Sequence, residues 1–142
     1  MDRDRGGLFG FASMKPATGG NRTFLYVAGA YNFGAALILV TLARVAPPLL
    51  GVDAPSASQL LYVDLAALLV AGFGTGYVLA GVDLARFWPF ISLGALCKAG
   101  VAALALGYFV AGRTGPPVVL LAAGDAVFAV LFVRLLRAHA VP

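Results

Sequence analysis

An apolar run at residues 87–111 carries one charged side chain, Lys98, near its middle. An α-helix rises about 1.5 Å per residue, so about 20 residues cross the roughly 30 Å hydrocarbon layer of a membrane. A lysine at the centre of such a helix costs about 2.5–3.5 kcal/mol on insertion scales. A chain that keeps Lys98 there is expected to provide a partner for its charge or a wet cavity around it.

The candidate partner is Asp125, which lies near the middle of the next apolar run, residues 116–136. Only a short turn at residues 112–115 separates the two runs. Counted from that turn, Lys98 lies about 15 residues before it and Asp125 about 11 after it, a difference in depth of roughly 6 Å. A lysine side chain can span that difference, so the sequence predicts a buried ion pair between these residues.

The composition of the chain is that of a membrane protein. Of its 142 residues, 61% are hydrophobic and only 11% are charged, which is far from the composition of soluble domains. We predict four spans, at residues 23–45, 59–80, 87–111 and 116–136, after a basic leader (residues 1–22) and before a short tail (residues 139–142). Because short turns make neighbouring helices antiparallel, residues 23–138 are predicted to form one all-α, up-down four-helix bundle.

Lysine and arginine residues near the span ends predict the orientation. Seven basic residues fall on one side of the predicted bundle and two on the other. The first group is Arg3, Arg5, Lys15, Arg22, Arg86, Arg134 and Arg137, and the second is Arg44 and Arg113. This bias predicts that both termini are cytoplasmic in a multi-pass protein of the cell membrane. The basic residues form no patch, so the net charge of +4 does not indicate a nucleic-acid partner.

Other polar side chains occur within the predicted spans, where they are expected to face the bundle interior because lipid offers no hydrogen bonds. Asn32 lies near the middle of the first span, and Asp64 is shallower, about five residues from the outer end of the second. We expect Asn32, Lys98 and Asp125 to meet, with two tyrosine hydroxyls adding to the network. The candidate intramembrane polar site is therefore Tyr31, Asn32, Asp64, Tyr77, Lys98 and Asp125.

Several chemistries lack the residues that they need. The single histidine, His139, follows the last predicted span, so no pair of intramembrane haem ligands is present. No group of Cys and His residues has metal-ligand spacing, and no Gly-rich phosphate loop occurs. Cys97 is the only cysteine and is interpreted as a small packing residue. No cofactor or catalytic residue is predicted.

Small residues recur four apart at positions 30–34, 72–76 and 107–111. This spacing is typical of membrane helices that pack closely. Packing within one bundle explains it, and a homodimer is the alternative.

Residues 74–100 resemble a group of small, mostly uncharacterised bacterial four-helix membrane proteins near the DoxX-like assemblage. The first span of that group tends to carry Tyr-Asn followed by Gly, and the second ends in Gly-Tyr followed by an Asp, an Arg and Trp-Pro. The matching residues are Tyr31, Asn32, Gly34, Gly76, Tyr77, Asp83, Arg86, Trp88, Pro89, Lys98 and Asp125. Cys97 stands where the group usually has glycine. The resemblance implies a fold, a recurring polar set and a bacterial inner-membrane location, but no established activity.

Three functional interpretations follow from the polar core. The first is a non-enzymatic accessory protein that handles a small apolar or amphipathic molecule; the second is a membrane enzyme or transporter that uses Lys98 and Asp125 for proton transfer. The third is a structural subunit of a larger membrane complex. Besides the lipid bilayer, its partner would be another membrane protein or a second copy of this chain. An open cavity at Lys98 favours ligand handling, whereas a closed, dry pair favours a structural role.

Overall fold

The structure, a computed structural model, describes residues 18–50 and 53–139. The predicted leader falls mostly, and the tail almost entirely, outside the described residues. Four long helices make up the described part: α1 (Gly19–Val45), α2 (Ala57–Val82), α3 (Leu84–Val110) and α4 (Pro116–His139), with a short 3-10 helix at Pro47–Leu50 between α1 and α2. Each long helix has the length and hydropathy to cross a membrane. The all-α class and the number of long helices are confirmed, whereas the membrane crossing of each helix stays a prediction.

The helices extend beyond the predicted spans at most ends. α1 begins at Gly19, so residues 19–22 of the predicted leader are helical, and α4 continues through His139, which the sequence placed in the tail. His139 is buried, with Nδ1 3.0 Å from the Leu135 carbonyl oxygen and Nε2 3.1 Å from Asn21 Nδ2 on α1. Hydropathy detects only the apolar part of a helix, and the polar turns at its ends depend on contacts such as these.

Asp83 alone separates α2 from α3, where the sequence predicted a turn over residues 81–86. Its carboxylate accepts a hydrogen bond from the Arg86 backbone N–H at 3.2 Å, as an N-cap residue does. The Arg86 guanidinium instead lies 5.4 Å from the centre of the Phe87 ring. Asp83 therefore caps α3 and forms no ion pair with the Arg86 side chain.

Ser56 and Gln59 define the start of α2 through a capping box. Gln59 Oε1 accepts a hydrogen bond from the Ser56 backbone N–H at 2.7 Å, and Ser56 Oγ accepts one from the Gln59 N–H at 3.4 Å. These bonds satisfy backbone donors that would otherwise be unpaired at a helix end near the membrane surface.

Glycines allow α1 and α2 to pack closely, although at positions other than the predicted ones. A Cβ at Gly29 would lie 3.0 Å from the Gly74 carbonyl oxygen, and a Cβ at Gly74 would lie 3.1 Å from that of Gly29. Gly34 and Gly72, which the spacing singled out, face open space, whereas Gly76 of the same predicted pair packs against the Phe90 ring of α3. The four-residue spacing identifies a face of small residues but does not show which face meets the neighbouring helix.

Large side chains fill the half of the bundle nearer Gly19 and His139. The largest fully buried ones are Tyr77, Phe132, Leu25, Leu84 and Ile91, contributed by all four helices. Phe132 packs against the Tyr77 ring at a centroid distance of 4.7 Å.

The outer faces are strongly apolar. Leu37, Leu68, Leu96 and Leu120, one on each long helix, are 69–74% exposed. A surface of this kind would aggregate in water and is suited to contact with lipid.

Candidate functional site

Three polar side chains from three helices meet inside the bundle, and together they are called the polar cluster: Asn32 on α1, Lys98 on α3 and Asp125 on α4. Lys98 Nζ donates one hydrogen bond to Asn32 Oδ1 at 2.9 Å and another to Asp125 Oδ1, with which it forms an ion pair. Lys98 is 6% exposed, and the Asp125 side chain is 20% exposed. The lysine charge therefore has an opposite charge and a neutral acceptor in direct contact.

Asn32 connects the polar cluster to the remaining helix. Its Nδ2 donates a hydrogen bond to the Val70 carbonyl oxygen of α2 at 3.0 Å, while its Oδ1 accepts from Lys98. The amide group thus has a partner at each end, and the residue is buried. Networks of this kind are stable in a low-dielectric interior only when their members are satisfied, which makes each member sensitive to substitution.

Aromatic rings surround the ammonium group. The ring centroids of Tyr31, Tyr77 and Phe128 lie 5.1, 5.8 and 5.4 Å from Lys98 Nζ, within the range of cation–π attraction. Both predicted tyrosines therefore lie at the site, but through their rings: neither hydroxyl forms the predicted hydrogen bond to the polar cluster. Phe128 was not predicted, although its position three residues after Asp125 places it on the same helical face.

Tyr31 connects α1 with α4. Its hydroxyl donates a hydrogen bond to the Leu121 carbonyl oxygen at 3.2 Å, and its ring packs against Phe128 at a centroid distance of 4.8 Å. This contact holds the tyrosine ring beside the polar cluster.

Two glycines make room for the tyrosines, and sequence reasoning missed both. A Cβ at Gly94 would lie 2.6 Å from Tyr77 Cε1 and closer still to its hydroxyl oxygen, and a Cβ at Gly124 would lie 2.8 Å from Tyr31 Cζ. Gly94 lies one turn before Lys98, and Gly124 directly precedes Asp125. The sequence does show a glycine near each of the two charged residues. Which aromatic ring packs against that glycine can be seen only in the structure.

Asp64 lies apart from the polar cluster. Both of its carboxylate oxygens are 2.8 Å from Arg44 Nη2, and the two side chains are 47% and 38% exposed. Arg44 also donates to the Val40 carbonyl oxygen at 3.1 Å. The α1–α2 hairpin brings Asp64 to a basic residue near the bundle end, and an exposed pair of this kind is worth about 0–1 kcal/mol.

A cavity of about 430 Å³ lies against the polar cluster. Tyr31, Asn32, Tyr77, Cys97, Lys98 and Asp125 form its floor. Its walls are almost entirely apolar and come from all four helices: Ala35, Ile38, Leu39, Ala66, Leu69, Val70, Phe73, Val101, Ala105, Val118, Leu121 and Ala122. Most wall residues belong to the halves of the helices farther from Gly19 and His139, so the cavity extends from Lys98 toward the bundle end that carries Arg44.

The cavity has the size and lining of a binding site for a small molecule. Such sites typically measure about 300–1,000 Å³ and combine apolar walls with a few polar groups. Among residues 18–50 and 53–139, no group of His, Cys, Asp or Glu side chains could hold a metal ion. The groups that can interact with a ligand are therefore the hydrogen-bonding side chains of the floor and the apolar surface of the walls.

Four helices with the length and hydropathy of membrane spans thus surround a Lys–Asp–Asn cluster at one end of an apolar cavity. No family model, curated protein or solved structure matches this chain. The functional interpretation therefore rests on the geometry of the chain itself.

Proposed function

We propose that this protein is a multi-pass membrane protein that binds a small, mainly apolar molecule in the cavity beside Lys98, as an accessory or handling component without catalysis. The observation that carries the proposal is that the polar cluster borders a cavity of about 430 Å³. Sites that bind small molecules combine apolar walls with a few polar groups, and an apolar molecule in this cavity would contact wall surface that other side chains leave uncovered.

The charges of the floor restrict the ligand to an uncharged molecule. Lys98 and Asp125 neutralise each other, and the walls offer no further ionised side chain. A charged ligand would add an uncompensated charge to a low-dielectric site, which is strongly unfavourable. A small apolar or amphipathic molecule without net charge fits both the polar floor and the apolar walls of the cavity.

Proton transfer by a membrane enzyme or transporter is the second candidate, because Lys98 and Asp125 are in direct contact. A transported proton would have to continue from the polar cluster toward the other end of the bundle. The described core there consists of apolar side chains such as Leu25, Leu84 and Phe132. This arrangement favours ligand binding over transport.

We also propose an up-down bundle with both termini in the cytoplasm, and a bacterial inner-membrane location in line with the DoxX-like resemblance. The contacts between α1 and α2 support antiparallel packing, since Tyr26 meets Gly81 whereas Arg44, farther along α1, meets Asp64, earlier in α2. In a variant with Cys97 replaced by alanine, an impermeant maleimide added outside the cell should label Ser56→Cys and not Ser13→Cys. Labelling only at Ser13→Cys would reverse the orientation.

The binding proposal is tested by filling the cavity with a larger side chain. Ala122 lines the cavity, whereas Ala126, one turn further along α4, is exposed and is not part of the lining. The wild type and the Ala122→Phe and Ala126→Phe variants would be purified from membranes in lipid nanodiscs and compared by native mass spectrometry. We expect a bound apolar molecule in the wild type and in Ala126→Phe, and its loss in Ala122→Phe. Equal retention by both variants, or a wild type without any bound molecule, would contradict the proposal.

A further inference from the structure

We infer that the cavity selects a molecule whose polar end is a hydroxyl group, that is, an alcohol or phenol attached to a hydrocarbon body. This inference deepens the proposed function and rests on it. It follows from the hydrogen-bonding groups that the cavity floor leaves without partners.

The first of these groups is the second carboxylate oxygen of Asp125. The ion pair and the hydrogen bond of this residue both use Oδ1. Among the described residues, Oδ2 has no hydrogen-bond partner, and Asp125 lines the cavity with 20% of its side chain exposed. An ionised carboxylate can only accept hydrogen bonds. A ligand that satisfies Oδ2 must therefore donate a proton.

The other groups of the floor that lack partners are hydrogen-bond donors. The Lys98 ammonium group carries three N–H bonds, and Asn32 Oδ1 and Asp125 Oδ1 accept two of them. The hydroxyl of Tyr77 forms no hydrogen bond to any described residue, although Tyr77 is only 1% exposed and its side chain lines the cavity floor. No described side-chain nitrogen or oxygen is both fully buried and without a partner, so this hydroxyl keeps some accessible surface at which a ligand can pair with it. The ligand group is therefore expected to accept a hydrogen bond as well.

A hydroxyl is the smallest uncharged group that both donates and accepts. A ketone or an ether accepts only and would leave Asp125 Oδ2 without a partner. A carboxylate has no proton to donate and would be repelled by Asp125, and an ammonium group would bring a second positive charge beside Lys98. The floor therefore discriminates between molecules that share one hydrocarbon body and differ in their polar end.

The chain provides its own reporter of cavity occupancy. Cys97 is the only cysteine and lies in the cavity floor, so a bound molecule should protect its thiol from alkylation. The cavity has room for on the order of ten non-hydrogen atoms if each occupies about the volume of a water molecule in the liquid. Decanol and its relatives with the same chain are suitable probes.

The experiment uses the full-length protein in lipid nanodiscs and compares decanol, decyl methyl ether, decanoate and decylamine at matched mole fractions in the lipid. Alkylation of Cys97 by N-ethylmaleimide is measured by mass spectrometry, and the thermal melting temperature is measured in parallel. We expect decanol to protect Cys97 and raise the melting temperature at a concentration at least about tenfold lower than the ether requires. Decanoate and decylamine should bind more weakly than decanol.

Two variants identify the groups that recognise the hydroxyl. Tyr77→Phe removes only the hydroxyl of the floor and should reduce the preference for decanol over the ether. Tyr62→Phe, on the exposed surface of the same helix, is the matched control and should retain that preference. The double variant Lys98→Met with Asp125→Leu should lose it.

The outcomes separate this inference from the proposed function. If decanol and the ether protect Cys97 and shift the melting temperature equally, the head-group inference is wrong while the binding function stands. A preference for decanol that persists in the double variant would also overturn the inference. If none of the four probes gives protection or a thermal shift, the proposed binding function itself is contradicted.

Discussion

Separate and combined removal of Lys98 and Asp125 tests whether these residues act as one unit. Lys98→Met leaves Asp125 Oδ1 and Asn32 Oδ1 without their described donor, and Asp125→Leu leaves a buried ammonium group with only the neutral amide oxygen. Breaking a buried ion pair by removing one member typically costs about 3–5 kcal/mol. We expect each single substitution to destabilise the protein by that amount.

The double variant should be milder than either single one. With both charges removed, the main defect is the unpaired Oδ1 of Asn32, which costs about 1–3 kcal/mol. For a chain of this size, 1 kcal/mol corresponds to roughly 3 °C in melting temperature. The single variants should thus melt about 9–15 °C below the wild type, and the double variant about 3–9 °C below it.

Thermal melting in lipid nanodiscs, followed by the helical circular dichroism signal, measures the three variants under one condition. A destabilisation of the double variant that equals the sum of the two single effects would refute the coupling, because additive effects are the signature of independent sites. A double variant that is stable but has lost the bound molecule would assign the pair to binding. One that is stable and still binds would leave the pair only a structural role.

Four further substitutions have expected outcomes in the same assay. Gly94→Ala should destabilise the protein by about 1–3 kcal/mol because its methyl group overlaps the Tyr77 ring, whereas Gly100→Ala on the same helix faces open space and should be neutral or slightly stabilising. Asp83→Ala should cost about 1 kcal/mol, since it removes the cap of α3; no change would show that the cap is dispensable. Asp64→Asn should cost less than about 1 kcal/mol because its ion pair is exposed, and a loss comparable to that of Asp125→Leu would show that Asp64 has a buried role.

The predictable part of the site was its chemistry. A charged residue in the middle of an apolar run requires a partner, and Asp125 was the candidate at a similar depth in the neighbouring run. Depth can be counted along a helix because the rise per residue is fixed. The depth of Asp64 could be counted in the same way, and its shallower position agrees with its exposed ion pair with Arg44.

The rotation of each helix about its axis could not be predicted in the same way. These helices are apolar nearly all round, so hydropathy gives little information on which face meets a neighbour. For this reason the small-residue spacing pointed to Gly34 and Gly72, whereas the close contact uses Gly29 and Gly74.

The membrane class, the four helices and a lysine that needs a partner can all be predicted from the sequence, because they depend on composition and on distance along one helix. The position of the polar cluster beside a cavity is visible only in the packed bundle. A cavity arises where side chains from four helices fail to meet, here because small residues such as Ala35, Ala105 and Ala122 line the space beyond Lys98, whereas large aromatic side chains fill the other half of the bundle. That difference depends on the relative rotation and spacing of the helices, which no single segment of the chain encodes.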